Sequence, residues 1–141
     1  MEEDDFGRVC QYHTRYLAPS PRIHSSDTPF AWSFMLDQVI HPTDCMRFFM
    51  GRVEDVFAFD GTDMDTGTVS ISVNLRYANG AVGSMTLGIG PVLEAMVYLK
   101  GTNNQAIQVF ETRKLRRYRA PTWLGRGGGY ADTPTEEWDL N

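Results

Sequence analysis

The chain has 141 residues, with 13 Lys and Arg against 18 Asp and Glu and a formal net charge of −5. That length is one ordinary domain, able to bury roughly two-thirds of its unfolded surface. Its 42% hydrophobic and 22% charged residues are globular usage, and the acidic balance argues against nucleic acid or an anionic membrane as a partner.

No apolar run reaches the ~18 residues of a membrane span. The opening MEEDD is acidic and no hydrophobic segment follows, unlike a secretory signal. Two cysteines, Cys10 and Cys45, fit a reducing compartment, so a cytoplasmic location is expected. Each is read as a small apolar residue rather than a metal ligand.

Taken in order, Gly7 to Leu17 alternates as a strand, with Val9, Gln11, His13 and Arg15 on one face and Cys10, Tyr12, Thr14 and Tyr16 on the other. Ala18 to Pro29, which holds His24, reads as an irregular loop. Trp32 to Gly51, WSFMLDQVIHPTDCMRFFMG, is the helical segment. Leu36, Val39, Ile40, Met46, Phe48 and Phe49 supply its packing surfaces. Pro42 lacks an N–H and crowds the preceding turn. Either the helix runs through it with a kink, or a short turn through Asp37 is followed by a helix with Pro42 at its first position and Asp44 at its third. Gly51 closes the helix.

Val53 to Asp60 is a strand followed by the turn-rich DGTDMDTG, which lacks the closing glutamate of a calcium loop. Val69, Ile71, Val73, Leu75 and Tyr77 alternate with polar residues, and Asn79-Gly80 then predicts a two-residue hairpin turn. With Ala78 opposite Ala81, Val82, Ser84 and Thr86 would share the apolar face. Gly83, Met85 and Leu87 would join Ser72, Asn74 and Arg76 on a mixed second face, one suited to cover by another chain. Further strands are expected at Glu94–Lys100 and Ala106–Phe110. Arg113–Arg119, with five basic residues, reads as an exposed edge guarded by charge. LGRGGGY, residues 124–130, lacks the lysine and hydroxyl of a phosphate loop and the flanking strand and helix of a dinucleotide fingerprint. The tail through Trp138 carries no cap or stop. The expected fold class is α+β: a mostly antiparallel open sheet with a helix packed on one face.

Asp37, His41 and Asp44, spaced i, i+4 and i+7, are the candidate site. Two carboxylates and an imidazole in an apolar helical region are either paired or functional. A carboxylate one turn before a histidine can hold the imidazole in one tautomer and support its cation. Spacing alone equally allows a satisfied polar cluster that ties the helix to neighbouring backbone. No histidine pair or Cys/His pair has metal-ligand spacing, so no metal is expected. No Gly-x-Ser-x-Gly elbow is present for nucleophilic catalysis.

From Gly7 to Val109 the chain resembles the C-terminal domain of the Gfo/Idh/MocA family, the glucose–fructose oxidoreductase and inositol dehydrogenase type. The resemblance rests on three motifs in order. DQVIHPTDCMRFFMG, Asp37 to Gly51, matches a D-x-G-x-H-x-x-D segment that closes in a short helix. YANGAVGSM, Tyr77 to Met85, matches a strand pair of the form F-x-N-G-A-x-G-x-L, and GTNN, Gly101 to Asn104, a G-T-x-G turn. Val39 stands where the motif has glycine, and Trp32, Ser33 and Phe34 replace small glycines before Asp37, which would reshape the pocket.

The resemblance implies a substrate-binding and oligomerisation domain of an NAD(P)-dependent oxidoreductase acting on a sugar or polyol. It implies His41 as the proton-transferring residue, Asp37 as its acidic neighbour and Asp44 as a structural aspartate near the site. NAD or NADP would be bound by a Rossmann domain not present in this sequence, so the chain alone is expected to bind no cofactor and to be inactive. It reads as a single domain over 1–141, with a core of about 7–110, an internal or truncated part of a larger enzyme that self-associates through its open sheet face. The alternatives are a non-catalytic dimerising scaffold derived from that domain and a small-ligand binding module without chemistry.

Overall fold

The computed structural model describes residues 6–19, 30–63, 65–119 and 134–140. Among the described residues eight strands form one mixed sheet: β1 (Val9–Ala18), β2 (Val53–Asp60), β3 (Ser70–Tyr77), β4 (Val82–Ile89), β5 (Glu94–Gly101), β6 (Ala106–Phe110), β7 (Lys114–Tyr118) and β8 (Glu136–Asp139). Their order is β2-β3-β4-β1-β5-β6-β7-β8. β1 runs parallel to β4, and every other neighbouring pair is antiparallel. The helical segment lies on one face and packs against β1. No described helix is long and apolar enough to cross a membrane.

The helical segment runs through Pro42, as α1 (Phe30–Phe34), a π-helical turn (Met35–Val39) and α2 (Ile40–Met50). Of the two arrangements open at Pro42, the structure takes the continuous one. The wide turn is the physical reason: the proline ring would meet the carbonyl four residues back, at Gln38, and an extra residue in that turn relieves the clash. Thr43 Oγ1 donates to the Val39 carbonyl at 2.8 Å, satisfying an acceptor beside the turn. Gly51, at φ 75°, ends α2 and returns its N–H to Arg47 O.

Parity decides the core. On the helix-covered face Tyr12, Thr14 and Ala18 of β1 are buried beside Met85 and Leu87 of β4, Leu75 and Tyr77 of β3 and Leu99 of β5. Phe34, Val39, Met46 and Met50 cover them from the helical segment. Leu36, Ile40, Phe48 and Phe49, expected to pack, are instead exposed, Phe48 at 83%. They form an apolar outer surface on the helix.

The hairpin corrects the predicted register. Arg76 pairs with Val82, Asn74 with Ser84 and Val73 with Met85. Gly80 N–H donates to Tyr77 O and Tyr77 N–H to Ala81 O, so three residues, Ala78 to Gly80, form the loop. Gly80, at φ 80°, takes the left-handed position that such a bulged loop requires. One residue of slip moves Met85 and Leu87 to the core and Ser84 and Thr86 to the opposite face. The outer face of this hairpin is therefore polar apart from Val82, not mixed. Gly83 now sits under Tyr77, where a Cβ would come 2.9 Å from the Tyr77 hydroxyl and 3.0 Å from Tyr12 O.

Two other expectations change. Lys114–Tyr118 is not the sheet edge, because β8 pairs outside it. The tail around Trp138 forms that added strand. His24 and the glycine-rich residues 124–130 lie outside the described residues.

Candidate functional site

Three elements converge at the middle of the helical segment. β1 contributes Tyr16 and Ala18, the π-helical turn Asp37 and Gln38, and the first turn of α2 His41. With Pro19 and Leu93 these residues line a cleft of about 260 Å³. Asp37 and His41, chosen from sequence, therefore share one cleft. Asp44 does not line it and is exposed on the other side of His41, in a shallow depression with Met35, Ile40 and Arg47.

Asp37 is held by a relay that the sequence reading missed. The Tyr16 hydroxyl donates to Gln38 Oε1 at 2.9 Å, and Gln38 Nε2 donates to Asp37 Oδ2 at 2.5 Å. Gln38 is buried, and a buried amide must place both ends on partners. Tyr16 takes its oxygen and Asp37 its nitrogen, so the amide orientation is fixed from the sheet outward. The available signal was parity: Tyr16 shares the face of Tyr12, beneath the helix, and Gln38 lies between the polar Asp37 and the core residue Val39.

His41 is exposed, and among the described residues it has no hydrogen-bond or ion-pair partner. Its imidazole is thus available to a ligand entering the cleft. A half-buried carboxylate with one oxygen fixed, beside an accessible imidazole, can bind a hydroxyl and exchange its proton.

A larger apolar groove of about 930 Å³ runs between α2 and β2–β4, with Val39, Met46, Val56, Val73 and Leu87 in its walls. Arg47 and Arg52 are its charged lining residues. It lacks an acid–base pair, so the smaller cleft is the better place for chemistry.

A dinucleotide does not fit that cleft. Its volume is at the small end of ligand pockets, which run roughly 300–1,000 Å³, and no glycine-rich turn opening a helix borders it among the described residues. Nor do three His, Cys, Asp or Glu side chains gather as metal ligands among the described residues.

The opposite face of the sheet carries its own polar network. His13 Nδ1 and Ser84 Oγ lie 2.6 Å apart, and Arg15 pairs with Glu94 at 2.9 Å. The Tyr118 hydroxyl donates to Gln108 Oε1 at 3.2 Å. Burial raises the Tyr98 hydroxyl above its ordinary pKa, reinforced by Cys10 and Tyr118 nearby. Cys10 and Cys45 are both free thiols and half-buried.

The profile of the GFO/IDH/MocA C-terminal domain family matches residues 1–110, and the chain belongs to that family. A comparison with curated proteins gives no match. Among solved structures, a dehydrogenase from Chromobacterium violaceum superposes with a TM-score of 0.80 at 19% identity, covering 99% of this chain and 41% of that one. A UDP-N-acetylglucosamine 3-dehydrogenase from Acidithiobacillus ferrooxidans gives 0.67 at 17% identity over 96% of this chain and 41% of its own. Levoglucosan dehydrogenase in complex with NADH and L-sorbose gives 0.63 at 21% identity, covering 87% of this chain and 39% of that one. The fold is shared throughout, and the chain spans about two-fifths of each of these structures.

Proposed function

We propose that this chain is the substrate-binding and oligomerisation domain of an NAD(P)-dependent oxidoreductase acting on a sugar or polyol. The observation that carries the reading is the meeting of Asp37 and His41 in one cleft of about 260 Å³, on a family-type frame whose solved relatives include dehydrogenases. In this reading His41 exchanges a proton with the substrate hydroxyl or carbonyl. Asp37, oriented by Gln38 and Tyr16, binds a neighbouring hydroxyl. Asp44 is a structural neighbour on the far side of His41.

NAD or NADP belongs to a companion Rossmann domain. The exposed apolar residues on the helix, Leu36, Ile40 and Phe48, together with the groove beside α2, are the surface we assign to the contact with that companion. The polar face around His13, Ser84, Tyr98 and Gln108 is assigned to self-association. The scaffold alternative would use the same self-association face, polar on the β3–β4 hairpin apart from Val82, and differs in predicting no role for His41.

Replacing His41 with Ala or Asn in the complete parent enzyme should lower kcat by about 10²–10⁴-fold, the range of a lost general acid–base group. Single-turnover kinetics would read this directly, and near-normal turnover would refute the assignment. The isolated chain should show no dehydrogenase turnover with NADH or NADPH. Purified chain that oxidises either would overturn the need for a companion.

A further inference from the structure

We propose that β2 is a self-pairing edge, through which a second copy of this chain extends the sheet by antiparallel β2–β2 contact with Ala58 on the two-fold axis. This contact is separate from the open sheet face and does not depend on the proton-transfer reading.

β2 closes one end of the sheet. Its sequence, VEDVFAFD, contains no Lys, Arg or Pro, the residues that commonly protect such an edge. Val56, Phe57 and Phe59 are 63%, 59% and 62% exposed, and the two phenyl rings meet edge-on at 4.8 Å. An edge that is apolar on both faces and pairs with no other strand among the described residues is a template for another strand.

Register identifies the occupant. Gly61 N–H donates to Ser70 O, and Phe59 and Phe57 lie opposite Ser72 and Asn74. Odd-numbered residues of this regular stretch therefore direct their main chain at β3. Val56, Ala58 and Asp60 direct theirs at the open edge. A second β2 centred on Ala58 sets Ala58 against Ala58 and Val56 against Asp60 as hydrogen-bonded pairs. Phe57 then faces Phe59 of the other copy twice, in the non-hydrogen-bonded positions where side chains approach most closely. Four phenyl rings become one cluster, and no acid stands directly opposite an acid. Moving the centre to Phe57 would instead put Glu54 against Asp60.

Charge supports the same partner. Arg52 stands at the start of β2, paired among the described residues with Glu54 at 3.4 Å and followed by Asp55. Asp60, Asp63 and Asp65 stand at its end. Hydrogen bonds from Thr62 and Thr66 hold the Asp60 and Asp63 carboxyls below their ordinary range. Antiparallel pairing brings Arg52 of one copy toward Asp63 and Asp65 of the other and sets Glu54 and Asp55 opposite Thr62 and Gly61 rather than opposite an acid.

The test is sedimentation equilibrium of the chain across a hundred-fold concentration range, with three variants. Ala58→Pro removes an N–H that points away from β3, so the fold should persist while pairing is lost. Phe57→Lys, checked for folding by circular dichroism, should do the same by placing charge in the ring cluster. In a Cys10→Ser, Cys45→Ser background, Ala58→Cys should form a covalent dimer under mild oxidation while Asn74→Cys, away from the edge, should not. The proposal predicts that wild type forms the edge contact in addition to any open-face contact, and that both edge variants weaken one association step by at least ten-fold in its dissociation constant. It is overturned if wild type is monomeric throughout, because the edge is then left for a different chain. It is equally overturned if both edge variants associate just as wild type does, which would assign all association to the open face, or if Ala58→Cys fails to cross-link.

Discussion

The two edges of the sheet are built on opposite principles. At one, β8 lies against β7 under a ladder of ion pairs: Lys114 to Glu137 at 3.0 Å, Arg116 to Glu137 at 2.6 Å and Arg119 to Glu136 at 2.7 Å. At the other, β2 presents Val56, Phe57 and Phe59 to solvent, and its cross-strand ion pair is Arg76 with Asp55. A charged edge is costly for another strand to cover, because ions must be desolvated or displaced. An apolar edge gains from cover. The difference gives the sheet a direction in which it can grow and one in which it resists growth.

The largest effect should come from neither edge but from the strands between them. Leu87→Ala on β4 removes a buried side chain from beneath the helix and should cost about 2–5 kcal/mol in urea unfolding. Phe57→Ala on β2 should stay within about 0.5 kcal/mol at concentrations where the chain is monomeric. If the two losses were equal, β2 would be part of the core and the contrast would fail.

Alkali should next separate the covered face from both edges. Burial pushes the Tyr77 hydroxyl up to about 12. A raised folded pKa means its contribution is complete below the unfolded tyrosine value of about 10 and is lost as pH rises through the folded value. Stability should therefore fall between about pH 10 and 12, and Tyr77→Phe should flatten that limb in a pH series of thermal melts.

The smallest effect belongs to β8. Hydrogen bonds from Arg116 and then Lys114 hold the Glu137 carboxyl below its ordinary range. A lowered folded pKa contributes fully above the unfolded carboxylate value and is lost as pH falls through the folded one. Amide exchange at Trp138 and Asp139 should quicken in that acid window relative to β4 amides. Glu137→Gln should produce the same quickening at neutral pH, without changing global stability measurably. Unaltered exchange in Glu137→Gln would show that backbone pairing alone holds this edge.

Strand identity was legible because alternation was strong. The bounds of β2 and β6 match the expected segments, and from Gln11 onward the two faces of β1 divide as expected. A bulge between Val9 and Gln11 inverts the first two residues, so Val9 packs on the core and Cys10 lies toward Tyr98. Register was not legible. Asn79-Gly80 signals a tight turn but does not say whether Ala78 belongs to the strand or the loop, and that one residue decided the side for Met85 and Leu87. The identity of the sheet edge was also hidden, because β8 is four residues of EEWD whose acids become intelligible only beside Lys114 and Arg116.

At the candidate site, spacing found Asp37 and His41 because they lie one helical turn apart, and the structure places both on one cleft. It could not find Tyr16, which comes from β1, more than twenty residues earlier in the chain, and meets Gln38 only once the helix is seated. Asp44 satisfied the same spacing rule yet lines a different depression. Periodicity put three residues on a stripe. It did not locate the floor of the pocket.

The π-helical turn at Met35–Val39 has a consequence for how this region can tolerate change in length. Each residue of an ordinary helix advances the wheel by about 100°. Because the wide turn already absorbs one extra residue, deleting one between Met35 and Val39 would restore regular winding with α1 and α2 keeping their faces, but would return the Pro42 ring to the carbonyl four residues before it. A further insertion would instead turn α1 against α2 by about 100° and carry Phe34 out of the core. Length changes in this turn should therefore be unequal in effect, a deletion straining one turn and an insertion displacing a whole face.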